Sequence, residues 1–333
     1  MAPSSGAANV TINTGVVTNK GIEAILTYDV TNGKDHGVQL GLNLARNKNK
    51  IVDLSGANMY LLSEIWGSNG PAIAVEEGEE YGTIYGWDYV YEYTMADGTV
   101  IGPFYDDNGN PLPLISEDGT EYLKTSNRVP VGNCAPLVTG GVNLRASYKN
   151  WSLYALVDAK LGGQIYCASY VVGMQTGQSM ETLYEREGNG LPYYDADGNL
   201  LGNYGIILPG YCINTETGEA HENENVVHYL YKYMPNFGGW GNYLTTPGIV
   251  ENTWIKMREL SLTYDFPRKL LDKQNFFKQA SISLVGRDLF YFYKTLPDNI
   301  NPEGTIGSGN AQGLEYGSYP GTRSIMLSLK VNL

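Results

Sequence analysis

The side chains of this sequence that could do chemistry are carboxylates, aromatic rings and three histidines. His36, His221 and His228 are too far apart to read as a metal triad. No GxSxG, HExxH, Walker or GxGxxG pattern occurs. Carboxylate pairs are plentiful in residues 46–139 and 162–254, so glycosidase-like pairing stays open. Solvated loop charge is the simpler reading. Asp106-Asp107-Asn108-Gly109-Asn110 and Asp195-Ala196-Asp197-Gly198-Asn199 resemble pieces of calcium loops, without EF-hand spacing or its terminal Glu. Asp-Gly and Asn-Gly are ordinary turn formers. The expectation is no catalytic residue, no metal site and no cofactor, with structural calcium in these loops as the lesser alternative.

The same two segments hold 19 of the 27 tyrosines. Trp66, Trp87, Tyr89, Tyr91, Tyr231 and Trp240 are the ligand-binding candidates. Aromatic faces beside carboxylates and amides suit sugar stacking and hydroxyl hydrogen bonding. They equally suit loops that pack on themselves.

Something must hold these segments. The chain has 333 residues, 41 of them Gly and 17% of them charged. Ordinary domains carry roughly 25% charge and about 7% Gly. Such a chain is no helical bundle, coiled coil or disordered tail. The net charge of −13 argues against a nucleic-acid groove. Cys134, Cys167 and Cys212 are too few and scattered for a disulfide framework. No apolar stretch reads as a transmembrane helix. The opening MAPSSGAANV lacks the basic and apolar regions of a signal peptide.

Period 2 is the strongest pattern. Ile22, Ala24, Leu26, Tyr28 and Val30 share one face, and Glu23, Thr27 and Asp29 the other. Val38, Leu40, Leu42 and Leu44 alternate with Gln39, Gly41 and Asn43. Similar alternation fills 141–148, 151–161, 259–266, 280–284 and 324–333. Seven strands of about 8–12 residues result, each with one apolar and one polar face. A soluble sandwich shows this with its polar face in water. A transmembrane barrel shows it inverted, apolar to lipid and polar to the lumen.

The connections decide. Residues 31–37, 149–150 and 267–279 are short links. Residues 46–139, 162–254 and 291–322 are 94, 93 and 32 long. Strict alternation of short turns and long loops is the pattern of outer-membrane barrels and is rare in soluble domains. The last strand then runs down to a periplasmic C-terminus, and both large loops fall outside. The β-like segment 81–93 belongs in the first long loop as part of a hairpin, since a single span there would invert the parity. Tyr148 and Trp151 flank a tight turn where an interfacial aromatic girdle belongs. Lys256 and Arg258 are in phase with lipid-facing Leu260 and Leu262. Either they lie above the membrane or a bulge shifts the phase. The charge is local too. Residues 46–139 have 14 Asp/Glu against 5 Lys/Arg, and residues 162–254 have 10 against 2.

Six stretches, in order, resemble the C-terminal part of SusC/RagA-like TonB-dependent outer-membrane transporters. They are NKGIEAILTY (19–28), TGGVNLRASYKNWSLYALVDAKLGGQIY (139–166), IKMRELSLTYDFP (255–267), GRDLFYFYK (286–294), Asn301-Pro302-Glu303, and YPGTRSIMLSLKVNL (319–333). Leu333 departs from the family's aromatic terminus. The resemblance implies an all-β fold, about seven C-terminal strands of a large antiparallel transmembrane β-barrel with long extracellular loops. Family barrels have 22 strands and a plugged lumen. It further implies import of glycans or peptides, a SusD-like surface lipoprotein as lid, TonB as energy source, and the outer membrane of a Gram-negative bacterium. On this expectation residues 1–333 are a partial barrel without plug domain or N-terminal strands. The reading from another class is a soluble or surface-exposed β-rich glycan-binding module.

Overall fold

A computed structural model describes residues 15–230, 244–272, 276–307 and 309–332. Seven long strands carry the alternating segments. They are β1 (Val16–Asn32), β2 (His36–Asp53), β3 (Val138–Tyr148), β4 (Trp151–Leu161), β5 (Trp254–Asp265), β6 (Gln279–Lys294) and β7 (Ser324–Asn332). They form one antiparallel sheet in chain order. The sequence expectation of seven strands with alternating short and long connections is met.

The register explains why alternation matters. Directly paired residues lie on the same face. One row reads Val38, Ala146, Leu153, Leu262, Leu284, Leu327 across six strands. The adjacent polar row reads Gly37, Ser147, Ser152, Thr263, Ser283, Ser328. A slip of one residue in β4 or β5, in either direction, would put a hydroxyl among leucines. Leu262, Leu284 and Leu327 stand exposed in the apolar row. Soluble monomers rarely expose contiguous apolar patches above a few hundred Å². Lipid removes that cost.

Aromatic rings border this face at both ends. Tyr148 and Trp151 pair across the Lys149–Asn150 turn, and Trp151 contacts Tyr264 with centroids 4.7 Å apart. At the other end Phe290 and Phe292 meet edge to face at 4.9 Å. The ten steps along β6 from Ile282, in the lower ring row, to Phe292 rise about 33 Å at 3.3 Å each. A tilt of about 40° turns that into roughly 25 Å, the height of an outer-membrane apolar band.

The phase question at Lys256 and Arg258 is answered by a bulge. Leu156 pairs with Glu259 and Val157 with Met257, so Arg258 has no register partner on β4. Met257 therefore joins the apolar row. Lys256, opposite Asp158, turns to the polar face.

The long loops fold into a packed body of their own. Strands Val129–Asn133, Thr83–Gly86, Ala72–Glu76 and Met59–Glu64 form a sheet in that spatial order. The 81–93 segment thus enters a loop hairpin through Thr83–Gly86 and Ala72–Glu76, as its parity required. Gln164–Cys167 pairs with Ile249–Glu251 on one side and Leu314–Glu315 on the other. One core takes Ile65, Ile73 and Ile84 from the first loop, Tyr166, Ala168 and Val171 from the second, and Leu314 from the third. A second gathers Ile115, Tyr122, Leu208, Cys212, Val227 and Leu244. Burial of this apolar surface offsets the ordering entropy of such long connections. Among the described residues no helix is long and apolar enough to cross a membrane, which says nothing of a β-barrel.

Candidate functional site

The polar face of the sheet and the underside of the loop body meet, and this junction is the candidate site. Below it, Asp29, Gln39, Arg145, Tyr154, Ser261 and Thr263 line an open cleft of about 680 Å³. Gln39 Nε2 donates to Asp29 at 2.8 Å. The Arg145 guanidinium lies 5.6 Å from the Tyr154 ring centroid. Thr263 and Ser283 share a hydroxyl hydrogen bond of 2.8 Å. These groups are charged and hydrogen-bonding, as a wet lumen requires.

At the rim the bulge builds a five-residue charge cluster. Lys256 Nζ lies 2.8 Å from Asp288 and 2.7 Å from Glu303. Arg258 reaches Asp158 at 2.9 Å, Asp288 at 2.7 Å and Glu303 at 2.6 Å. Tyr291 donates to Asn301 Oδ1 at 3.0 Å. Glu303 belongs to the third loop, so the cluster ties that loop to β4, β5 and β6. Burial pushes the Glu303 carboxyl up, but hydrogen bonds from Arg258 and Lys256 outweigh it and hold the group below the usual carboxylate range. The sequence signals were the out-of-phase Lys256 and Arg258 and the Asn301-Pro302-Glu303 motif. Their meeting was not legible, because it needs a bulge and a loop 45 residues away.

The same third loop is fixed again higher up. Glu315, fully buried, accepts from Ser169 Oγ at 2.7 Å, Ser169 N at 3.1 Å, and Ser318 Oγ at 2.9 Å. It caps the helix Ala168–Gln175 from another segment.

The predicted aromatic residues lie in the loop body. Trp66 packs on the first core and meets Tyr166 and Tyr316 edge-on at 6.1 and 5.7 Å. Trp87 lies under two cations, Arg128 at 5.3 Å and Lys124 at 5.9 Å. Arg128 also donates to Gly67 O at 2.6 Å, linking the Trp66 turn to Trp87. Tyr89 contacts Tyr122 at 5.0 Å and Tyr91 at 6.3 Å. Burial raises the hydroxyl pKa of Tyr89 and Tyr91. Tyr231 and Trp240 lie outside the described residues.

The two calcium-like motifs form matching hairpin tips. Asp106 accepts from Asn108 N, Asn110 N and Asn110 Nδ2, and Asp195 accepts from Asp197 N, Asn199 N and Asn199 Nδ2. Those hydrogen bonds lower both carboxyl pKa values. Gly109 and Gly198 take the left-handed conformation these tips need. Among the described residues no group of three or more His, Cys, Asp or Glu is arranged to hold a metal ion.

No family model matches the chain. Curated relatives do. "TonB-dependent receptor P3" of Formosa agariphila is 25% identical over 98% of this chain. The chain is a relative of the TonB-dependent receptors. TonB-dependent receptor P26 of the same organism is 24% identical over 96% of the chain. The chain spans about 30% of the length of the curated receptors it matches. Its fold is similar to part of the structure of the RagAB peptide importer. In the open-open state the TM-score is 0.60 at 20% identity, covering 100% of this chain and 30% of that one. In the closed-closed state it is 0.56, also at 20% identity, covering 99% of this chain and 31% of that one. The TonB-dependent-receptor resemblance and the β-barrel fold class expected from the sequence therefore agree with the comparisons.

Proposed function

We propose that this TonB-dependent-receptor relative forms one arc of an outer-membrane importer of glycan or peptide nutrients. The observation that carries the reading is the two-faced sheet with all its long loops at one end. Apolar rows suit lipid, polar rows suit a water-filled lumen, and the loop body roofs that lumen. A soluble glycan-binding module leaves the row from Val38 to Leu327 in water, which weighs against it.

The orientation in this reading is loops outside and C-terminus in the periplasm. β1 and β7 each pair on one side only. Open edges are costly in lipid. We therefore read residues 1–333 as partial barrel wall, closed by further strands and served by a plug from outside this segment. Energy comes from TonB, and a SusD-like surface lipoprotein covers the loops. Trp66, Trp87, Tyr89, Tyr91, Tyr231 and Trp240 are proposed as contacts for ligand or lid. No catalytic role, metal or cofactor forms part of the reading. The names of the relatives, receptors and importers, fit the absence of a catalytic role.

Uptake tests it. Cells lacking the gene should lose uptake of fluorescent oligopeptide or oligosaccharide across the outer membrane, and the restored gene should return it. Unchanged uptake of every offered nutrient would overturn the reading.

A further inference from the structure

The outward faces of β1 and β2 change character along their length. On β2, Val38, Leu40, Leu42 and Leu44 stand on the apolar face, and the same face continues with Arg46, Lys48 and Lys50. On β1, Leu26, Ala24 and Ile22 are followed by Lys20. The register joins the two runs, with Ile22 opposite Arg46 and Lys20 opposite Lys48. Four cations thus share one outward patch, all of them exposed. The upper outward face of β5 and β6 carries Ile255, Phe290 and Tyr293 instead.

The height of the patch follows from the register. His36 pairs with Tyr148 in the lower aromatic row. Ten steps from His36 reach Arg46, about 33 Å along the strand and roughly 25 Å along the membrane normal at a tilt of about 40°. Arg46 therefore marks the upper edge of the apolar band. Lys48 and Lys50 stand about 5 and 10 Å higher, at the level of lipid headgroups. Lys20 is level with Lys48.

The patch is short of counter-charge. Lys20, Arg46 and Lys50 have no ion-pair partner among the described residues. Lys48 meets Glu80 at 3.1 Å, with the two side chains 70% and 39% exposed. An exposed pair of this kind contributes little. Like charges directly opposite on a sheet repel, so Lys20 against Lys48 is unfavourable until an anion lies on both. Composition points the same way. Residues 46–139 hold five Lys or Arg, and three of them are Arg46, Lys48 and Lys50. The cations gather at the membrane edge and not in the acidic loop above it.

We propose that this patch binds the phosphates of an anionic outer-leaflet lipid, whose acyl chains lie along the apolar residues below. The assignment rests on the membrane-wall reading and adds a lipid partner to it. Free phosphate would use the cations alone. A phosphorylated lipid uses both halves of the surface, because its chains descend onto Ile22, Leu26 and Leu44, which are 75%, 62% and 42% exposed. Basic side chains at the border of an apolar membrane face complement such a molecule in charge and in polarity.

Native mass spectrometry of the detergent-solubilised protein tests this with three probes: bisphosphorylated lipid A, the same lipid with its phosphates removed, and inorganic phosphate. Lipid A should bind roughly 100-fold tighter than the dephosphorylated lipid, about fivefold for each of the three unpaired cations. Excess inorganic phosphate should not displace it. In Lys20→Gln/Arg46→Gln/Lys50→Gln the two lipids should bind almost equally. The charge-matched variant Lys34→Gln/Lys149→Gln/Arg268→Gln, altered at the turn end, should keep the preference. Heat-dependent gel mobility shows that each variant is folded. Equal affinity of the unaltered protein for the two lipids, displacement by inorganic phosphate, no binding of lipid A, or an equal loss in the turn-end variant would each overturn the proposal. A folded barrel that restores cellular uptake while showing no preference for lipid A keeps the importer reading and loses the lipid site.

Discussion

Arg258 of β5 and Glu303 of the third loop meet at 2.6 Å, Nη2 donating to Oε1. Arg258 is available for this because the bulge leaves it without a register partner on β4. Glu303 is held in place by its own backbone, whose N–H donates to Asn301 Oδ1 at 3.2 Å. A local irregularity in the wall thus becomes the anchor of a loop.

Glu303→Ala should release that loop. It removes one of the carboxylates shared by Arg258 and the nearly buried Lys256 side chain, which is 6% exposed, and leaves both cations on Asp288. Losing hydrogen bonds to charged partners costs roughly 1.5–3 kcal/mol. Amide exchange at Gly304, whose N–H donates to Asn301 O at 2.9 Å, should quicken, while β5 and β6 stay protected. Unchanged exchange would show that the contact contributes nothing.

Acid should do the same reversibly. The Glu303 carboxyl sits below its ordinary range in the folded protein, so the unfolded state binds the proton more readily. The stabilisation is therefore fully present above the ordinary value of about 4.3. It is lost as pH falls from there through the depressed value. Protease sensitivity of the third loop should rise only in that acidic window and be flat from pH 6 to 8. In Glu303→Gln the acid-dependent rise should disappear.

The two faces of β6 should respond oppositely to charge. Leu284→Lys puts an ammonium on the apolar row and should cost roughly 2–4 kcal/mol near the bilayer midplane. Ser283→Lys puts it on the polar row beside Thr263 and should cost much less. Urea unfolding in phospholipid vesicles measures both. Equal costs would contradict the assignment of faces.

Ile73→Ala should loosen the loop body and spare the wall. Ile73 is 1% exposed in a core shared by all three long loops. Such a truncation costs about 2–5 kcal/mol. Limited proteolysis should cut all three loops faster, while heat-dependent gel mobility of the barrel is retained.

The wall was readable because its information is local. Alternation in 151–161 gave β4 its full extent, and the Lys149–Asn150 turn fixed its register with β3. The loops were not, because their order comes from contacts between distant segments. Nothing near Glu315 announces that it caps a helix starting at Ala168. Trp66, Trp87, Tyr89 and Tyr91 were found by composition, and the structure supplies their neighbours, Tyr166, Arg128 and Tyr122. Asn47 and Asn49, which share a small cleft with Asn310 and Gln312 of the third loop, gave no signal of their own. Neutral amides at period-2 spacing read as ordinary polar-face residues until a loop is laid across them.

The central claim is that the row through Leu262, Leu284 and Leu327 faces lipid and the row through Thr263, Ser283 and Ser328 faces water. Nitroxide labels at these six positions, one at a time and with Cys134, Cys167 and Cys212 replaced by Ala, test it in reconstituted vesicles. Collision with oxygen, which concentrates in lipid, and with a water-soluble nickel chelate should alternate along each strand. The three leucine positions should favour oxygen, and the three hydroxyl positions nickel. Nickel access at all six would contradict a membrane wall.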